Sequence, residues 1–203
     1  MGKQPTDRRE RRRIELRDRI LGAARELFEE RGYDETKVSA ICDRADVAYG
    51  TFFNHFPEKR DVLRELADLS LREITERLEE LAKQAGTIDG LLLALFAGSA
   101  ETLADTRPER RNLLGRIHAI AYAEAPADRD RRYHAAFEAF LAEGVARGWV
   151  RDDVPLETLA EVVGGTFASQ ALSWVHFDDY PLRERAEAAA RFLARALEPR
   201  GAI

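Results

Sequence analysis

The chain is poor in several features, and each scarcity removes a class of protein. It has one cysteine, Cys42, in 203 residues. Neither an internal disulfide framework nor a cysteine-rich zinc site can be built from that, and a reducing cytoplasm suits it. No apolar run reaches about 18 residues, and no apolar segment follows the charged N-terminus, so neither a membrane span nor a signal peptide is expected. Strand-like alternation is missing, and no internal repeat of roughly 20–50 residues appears. Phosphate-binding loops, a G-x-S-x-G elbow and an H-E-x-x-H pair are all absent. The glycine pair in "VGGTF" at 163–167 follows no strand and reads as helix packing. His118, His134 and His176 lie on different segments without ligand-like spacing. Neither a metal nor a cofactor is expected, nor an enzyme.

What is present is helix-forming and charged, with 45% hydrophobic and 34% charged residues and a net charge of −5. The charge is uneven. Residues 1–60 carry 14 Lys and Arg against 12 Asp and Glu, leaving 18 against 25 in the remainder. The opening "MGKQPTDRRERRR" has six basic and two acidic residues. A basic head on an acidic body suits a protein that meets a polyanion with one end.

Helical periodicity runs through nearly every segment and predicts an all-α protein of about nine helices. The first is expected over 14–30, ending at Gly32 in the position of a left-handed cap. The second starts at Thr36, the third spans 48–54, and Pro57 opens a fourth that reaches Gly86. Five longer ones follow at 88–105, 109–122, 129–147, 155–176 and 181–197, with breaks at Pro, Gly and Asp clusters. The expected domains are a helix-turn-helix head with a basic N-terminal arm, residues 1–55, and a helical body, 56–203. The arm is expected to be disordered when free.

Two short helices joined by "RADVAYG" and braced by a longer one describe a helix-turn-helix unit. The stretch "AYGTFFNHF", 48–56, carries three phenylalanines and a tyrosine, and its spacing sorts them into two faces. Phe52 and Phe56 fall on one face with Val47, towards Leu27, Phe28 and Ile41. Tyr49, Gly50, Phe53 and Asn54 share the other, because 49/53 and 50/54 are also four apart. The outer face fits a major groove: glycine permits close approach, and Thr51, Asn54, His55 and Tyr49 offer hydrogen bonds to phosphate or base edges. Lys59 adds a positive charge. A helical protein–protein adaptor using the same aromatic face is the alternative.

Residues 19–66, "RILGAARELFEERGYDETKVSAICDRADVAYGTFFNHFPEKRDVLREL", resemble the tetracycline-repressor (TetR-type) family of bacterial transcription regulators. The pattern is F-x-x-x-G-[YF], T-x-V-x-x-I-x-x-x-A-x-V, then G-x-[FL]-[YF]-x-H-F and a following lysine. Three positions depart from it: Asp46 replaces a common glycine, Tyr49 a small polar residue, and Phe53 a tyrosine. The resemblance implies DNA contacts at Thr36, Lys37, Ser39, Tyr49, Gly50, Thr51, Asn54, His55 and Lys59. It also implies a regulatory body whose last two helices form a dimer.

The body fits that implication. The helix at 155–176 is apolar almost all round, with Gly164, Gly165, Ala168 and Ala171 small enough for close approach. The last helix adds Ala186, Ala189, Ala190 and Leu193. Paired across a two-fold axis, the two would close a four-helix bundle. Phe96, Ser99, Leu103, Ile117, His118, Tyr122, Phe137, Phe140, Leu141, Phe167, Gln170 and Trp174 mix rings with a few polar groups, as a ligand pocket does. Trp149 reads as a plug under the turn after the seventh helix. Together these point to a ligand-responsive homodimer that binds a pseudo-palindromic operator in double-stranded DNA and acts as a cytoplasmic repressor, released by a small molecule.

Overall fold

A computed structural model describes residues 5–104, 106–123 and 127–199. Among the described residues there are nine helices and no strand. In chain order they are α1 (Pro5–Arg31), α2 (Val38–Ala45), α3 (Tyr49–His55), α4 (Lys59–Lys83), α5 (Ile88–Ala104), α6 (Pro108–Ala123), α7 (Ala127–Ala146), α8 (Leu156–His176) and α9 (Leu182–Leu197).

The chain divides into two compact units. The first holds the described residues up to Ala67 together with Arg107–Ile120; the second holds Asp68–Thr106 and the described residues from Ala121 onward. The expected boundary at residue 55 is therefore displaced. Val62, Leu63 and Leu66, on the first turns of α4, are buried and belong to the head, so its core does not close at Phe56. Most of α6 joins the head as well. Arg110 pairs with Glu29 at 3.7 Å, and Arg116 pairs with Asp34.

α1 starts at Pro5, not at residue 14, so residues 5–13 of the expected disordered arm are helical. No breaker follows Pro5, which suits a first helical position, and Arg13 pairs with Glu10 one turn back at 3.6 Å. The helix stops at Gly32, whose φ of +83° is open to glycine at no steric cost. α4 begins at Lys59, beyond Pro57, because the Asp61 carboxylate accepts the Glu58 amide at 2.8 Å and fixes the first turn there.

The second unit is a helical stack. α9 buries Leu182, Ala186, Ala190, Leu193, Ala194 and Leu197, packing mainly on α5, which buries Leu91, Leu92, Leu95 and Phe96. α8 packs chiefly on α7. At the end of α7 the plug is Val150, 3% exposed, rather than Trp149. A Cβ at Gly144 would lie 2.6 Å from the Val150 side chain, so glycine makes that seat. Trp149 instead lies under the Arg147 guanidinium, 4.8 Å from its ring centre.

Candidate nucleic-acid interface

α2 is fastened to α1 by Arg44, which reaches Glu26 and Glu30 at 3.0 Å each, while Ile41, Cys42 and Ala45 enter the core. The turn into α3 passes through Asp46 in the left-handed region (φ 50°, ψ 56°). Aspartate takes the place of the common glycine because it tolerates this conformation. The Val47 amide donates to the Cys42 carbonyl at 3.0 Å, and Arg19 Nη2 donates to the Asp46 carbonyl at 3.0 Å.

α3 shows the two faces its spacing implies. Phe52 and Phe56 are fully buried, whereas Tyr49 and Phe53 are 58% and 38% exposed. The outer pair is in contact with ring centres 4.9 Å apart and planes tilted by 58°. Neither Lys37, at the start of α2, nor Ala48, at the start of α3, makes a side-chain cap. Two helix starts without a side-chain cap suit phosphate oxygens.

Gly50 is the most informative residue of this face. A Cβ there would meet nothing within 4 Å, and its φ is not positive. A glycine inside a helix costs about 0.5–1 kcal/mol relative to alanine. No neighbour within the chain occupies the space a Cβ would take there.

Of the nine expected DNA contacts, Lys37, Ser39, Tyr49, Gly50 and Asn54 are exposed, and Thr51 and His55 are half-buried. Two need correction. Thr36 is 3% exposed, and its hydroxyl faces the carbonyls of Gly32 at 2.7 Å and Leu27 at 3.2 Å. It ties the α1–α2 turn together instead of starting α2. Lys59 is half-buried, and its Nζ donates to the carbonyls of Tyr33 (2.7 Å) and Thr36 (3.0 Å). Burial, with Arg116 adding to it and Asp34 opposing it, leaves its ammonium below the usual lysine value. It is a cross-link of the head, not a free charge for phosphate. Arg17, missed in the sequence, clamps the far end of α3: Nη1 donates to the His55 carbonyl at 3.1 Å, and the guanidinium lies 4.5 Å from the Phe56 ring centre.

The expected pocket residues fall in both units. Phe96, Phe137 and Phe167 form one cluster in the second unit, with Phe96 and Phe167 edge-to-face at 5.3 Å and Phe137 6.1 Å from Phe167. Phe140, Leu141 and Trp174 are buried there too. Ser99 returns its hydroxyl to the Leu95 carbonyl at 2.7 Å, and Leu103 is half-buried. Gln170 is occupied elsewhere, donating to the Arg185 carbonyl of α9 at 2.9 Å. Ile117 and His118 belong to the first unit. Burial lowers the His118 pKa, against a hydrogen bond at the Leu114 backbone. The side chain of Tyr122 lies outside the described residues.

The expected dimer stripe also divides. Gly164, Ala168, Ala186, Ala190 and Leu193 are buried within one chain. At Gly164 a Cβ would approach Phe137 at 3.1 Å and Tyr133 at 3.2 Å, and the Tyr133 hydroxyl donates to its carbonyl at 2.8 Å. These are seats for α7 and α5, not for a second subunit. Ala171 and Ala189 are half-buried. Gly165 is exposed with nothing within 4 Å of a Cβ, and it shares its side of α8 with Val162, 52% exposed. On α9 the exposed apolar group is Phe192, at 71%.

A helix-turn-helix with an exposed outer face on α3, in a chain that is all-helical among the described residues, is the arrangement of a DNA-binding regulator. Residues 20–66 match the family model described as bacterial regulatory proteins, tetR family. The repressor Rv1474c of Mycobacterium tuberculosis is 31% identical over 143 residues, covering 70% of this chain and 73% of that protein. The fatty acid metabolism regulator protein of Bacillus subtilis is 27% identical over 170 residues, 78% of this chain and 83% of that one. The crystal structure of Thermus thermophilus FadR, a TetR-family repressor in complex with lauroyl-CoA, superposes with a TM-score of 0.67 at 27% identity, covering 87% of this chain and 92% of that one. The chain belongs to the TetR family: it is a dimeric, ligand-responsive DNA-binding repressor.

Proposed function

We propose that this repressor reads a pseudo-palindromic operator through Lys37, Ser39, Tyr49, Gly50, Thr51 and Asn54, and leaves it when a fatty acyl-CoA thioester binds. The observation that carries the DNA reading is Gly50, a glycine in the first turn of α3 on an exposed face with no neighbour to require it. A phosphodiester backbone close to α3 would require it. The effector class is supported by the two relatives concerned with fatty acids, one of them bound to lauroyl-CoA. The aromatic cluster of Phe96, Phe137 and Phe167 is apolar material of the kind an acyl chain needs. Ligand binding then favours a conformer whose paired heads no longer match successive major grooves.

The subunits pair through the exposed side of α8 and α9 around Val162, Gly165 and Phe192. The protein works in the cytoplasm, beside the chromosome, and carries out no chemistry of its own. Selecting bound fragments from the source genome, then titrating the recovered operator with lauroyl-CoA present and absent, tests the reading. Recovery of a two-fold-symmetric sequence and its release by the thioester are expected. Binding without sequence preference would overturn the operator reading, and specific binding indifferent to acyl-CoA would overturn the effector class.

A further inference from the structure

Resting on the reading that this head binds DNA, we propose that Arg19 is a positioning residue for α3. It holds the left-handed turn at Asp46, and that turn sets the direction in which α3 leaves α2. The contacts converge on one nitrogen. Arg19 Nη2 donates to the carbonyl oxygens of Ala45 and Asp46, the latter at 3.0 Å, and lies 3.4 Å from the Asp46 carboxylate.

α2 ends in a pair of backbone bonds that need a left-handed residue. The Val47 amide donates to the Cys42 carbonyl at 3.0 Å, and the Asp46 amide to the Asp43 carbonyl at 3.3 Å. Glycine is the usual residue at the bend of this motif, because a Cβ is disfavoured there. Here it is Asp46, the single non-glycine residue of positive φ among the described residues. Its own carboxylate is fully exposed, so burial does not hold it in place. The two amides serve the carbonyls of Cys42 and Asp43, and Arg19, reaching from α1, serves those of Ala45 and Asp46.

The clamp bears on DNA through α3. Only Val47 separates Asp46 from Ala48, the cap of that seven-residue helix. Phe52 and Phe56 anchor its inner face in the core, so the turn governs the other end, where Tyr49 and Gly50 lie. A binding group held loosely by its supporting contacts loses specific recognition first. The guanidinium also offsets a carboxylate that stands two residues before a helix start suited to phosphate. An exposed ion pair contributes little by itself, so the bonds to the carbonyls carry most of the effect. Glycine at position 46 removes both needs: it takes the left-handed region without cost and brings no charge.

The experiment is a double-mutant cycle on the whole chain, titrated with the operator recovered from genomic fragments and with an unrelated duplex of equal length. Arg19→Ala is expected to bind the operator about tenfold more weakly and the unrelated duplex almost unchanged. Asp46→Gly is expected to stay within about twofold of wild type, and to restore the double variant to that level. A guanidinium that touched phosphate would behave otherwise. Its loss would weaken both duplexes, flatten the salt dependence and resist rescue by glycine. If alanine unfolds the head, Arg19→Lys runs the same cycle, because it keeps the charge but not the fork of donors. Hydrogen exchange of the Val47 amide in the free protein reads the turn without DNA. It should speed up in Arg19→Ala and slow again in the double variant. Operator affinity unchanged in Arg19→Ala, or a loss that glycine fails to rescue, overturns the inference while leaving DNA binding intact. Unchanged Val47 exchange in Arg19→Ala overturns the clamp whatever the protein binds. A wild type that binds no operator overturns the DNA reading and, with it, the positioning role.

Discussion

Lys59 Nζ lies 2.7 Å from the Tyr33 carbonyl oxygen and 4.2 Å from the centre of the Tyr33 ring. One ammonium thus closes the α1–α2 turn from the side of α4, while Arg116 of α6 faces the same ring at 5.2 Å. Lys59→Ala removes two hydrogen bonds to carbonyls and a cation–ring contact, a loss of about 2 kcal/mol of head stability. Thermal unfolding should show that loss. Operator affinity measured well below the melting point should change little, whereas a phosphate-contacting lysine would lose affinity at every temperature.

Gly50→Ala reverses the usual link between stability and function. Adding a methyl group that meets nothing in the first turn of α3 should stabilise the helix by up to about 0.5 kcal/mol. The same methyl stands between α3 and the DNA backbone, so operator affinity should fall by about tenfold, equivalent to 1.4 kcal/mol. Denaturant unfolding and operator titration on one preparation read both. A variant both more stable and equally tight would remove α3 from the groove.

Gly164 and Gly165 are neighbours with opposite expected outcomes. Gly164→Ala forces a methyl against Phe137 and Tyr133 and should destabilise the subunit by about 1–3 kcal/mol. Gly165→Trp meets nothing within its own chain. It should leave the subunit folded and hold the α8 faces of two subunits apart. Circular dichroism with light scattering distinguishes them: a folded monomer for Gly165→Trp, a less stable protein for Gly164→Ala. A folded dimer in the Gly165→Trp variant would move the interface elsewhere.

These pairs also mark what the sequence could and could not reveal. The split of Phe52 and Phe56 from Tyr49 and Phe53 needed only the helical repeat, because both faces belong to one helix. The αL position at Asp46 was legible only through the family pattern, in which a glycine is common there. Thr36 and Lys59 were misread because their partners are backbone carbonyls of the α1–α2 turn. No spacing pattern encodes which hydroxyl or ammonium turns inward to meet them. Gly164 and Gly165 look alike until α7 is set against one side of α8. Phe192 had a usable signal, since it falls between the buried positions 190 and 193 on the opposite side of α9.

The helical residues 5–13 bear on salt dependence. Removing residues 1–13 deletes six basic and two acidic side chains. Fewer phosphates are then neutralised, so affinity should fall across all sequences and the plot of log affinity against log salt should flatten. An unchanged slope would show that this end of α1 stays off the DNA.

The central claim is that one chain joins operator recognition to an acyl thioester. Its most direct test is a titration of the dimer onto its selected operator, with and without lauroyl-CoA, at one salt concentration. Two subunits per pseudo-palindrome are expected, with an affinity lowered at least about fivefold by the thioester, the lower end of ordinary allosteric coupling. Equal affinity in the two titrations, with lauroyl-CoA shown to be bound, would contradict it.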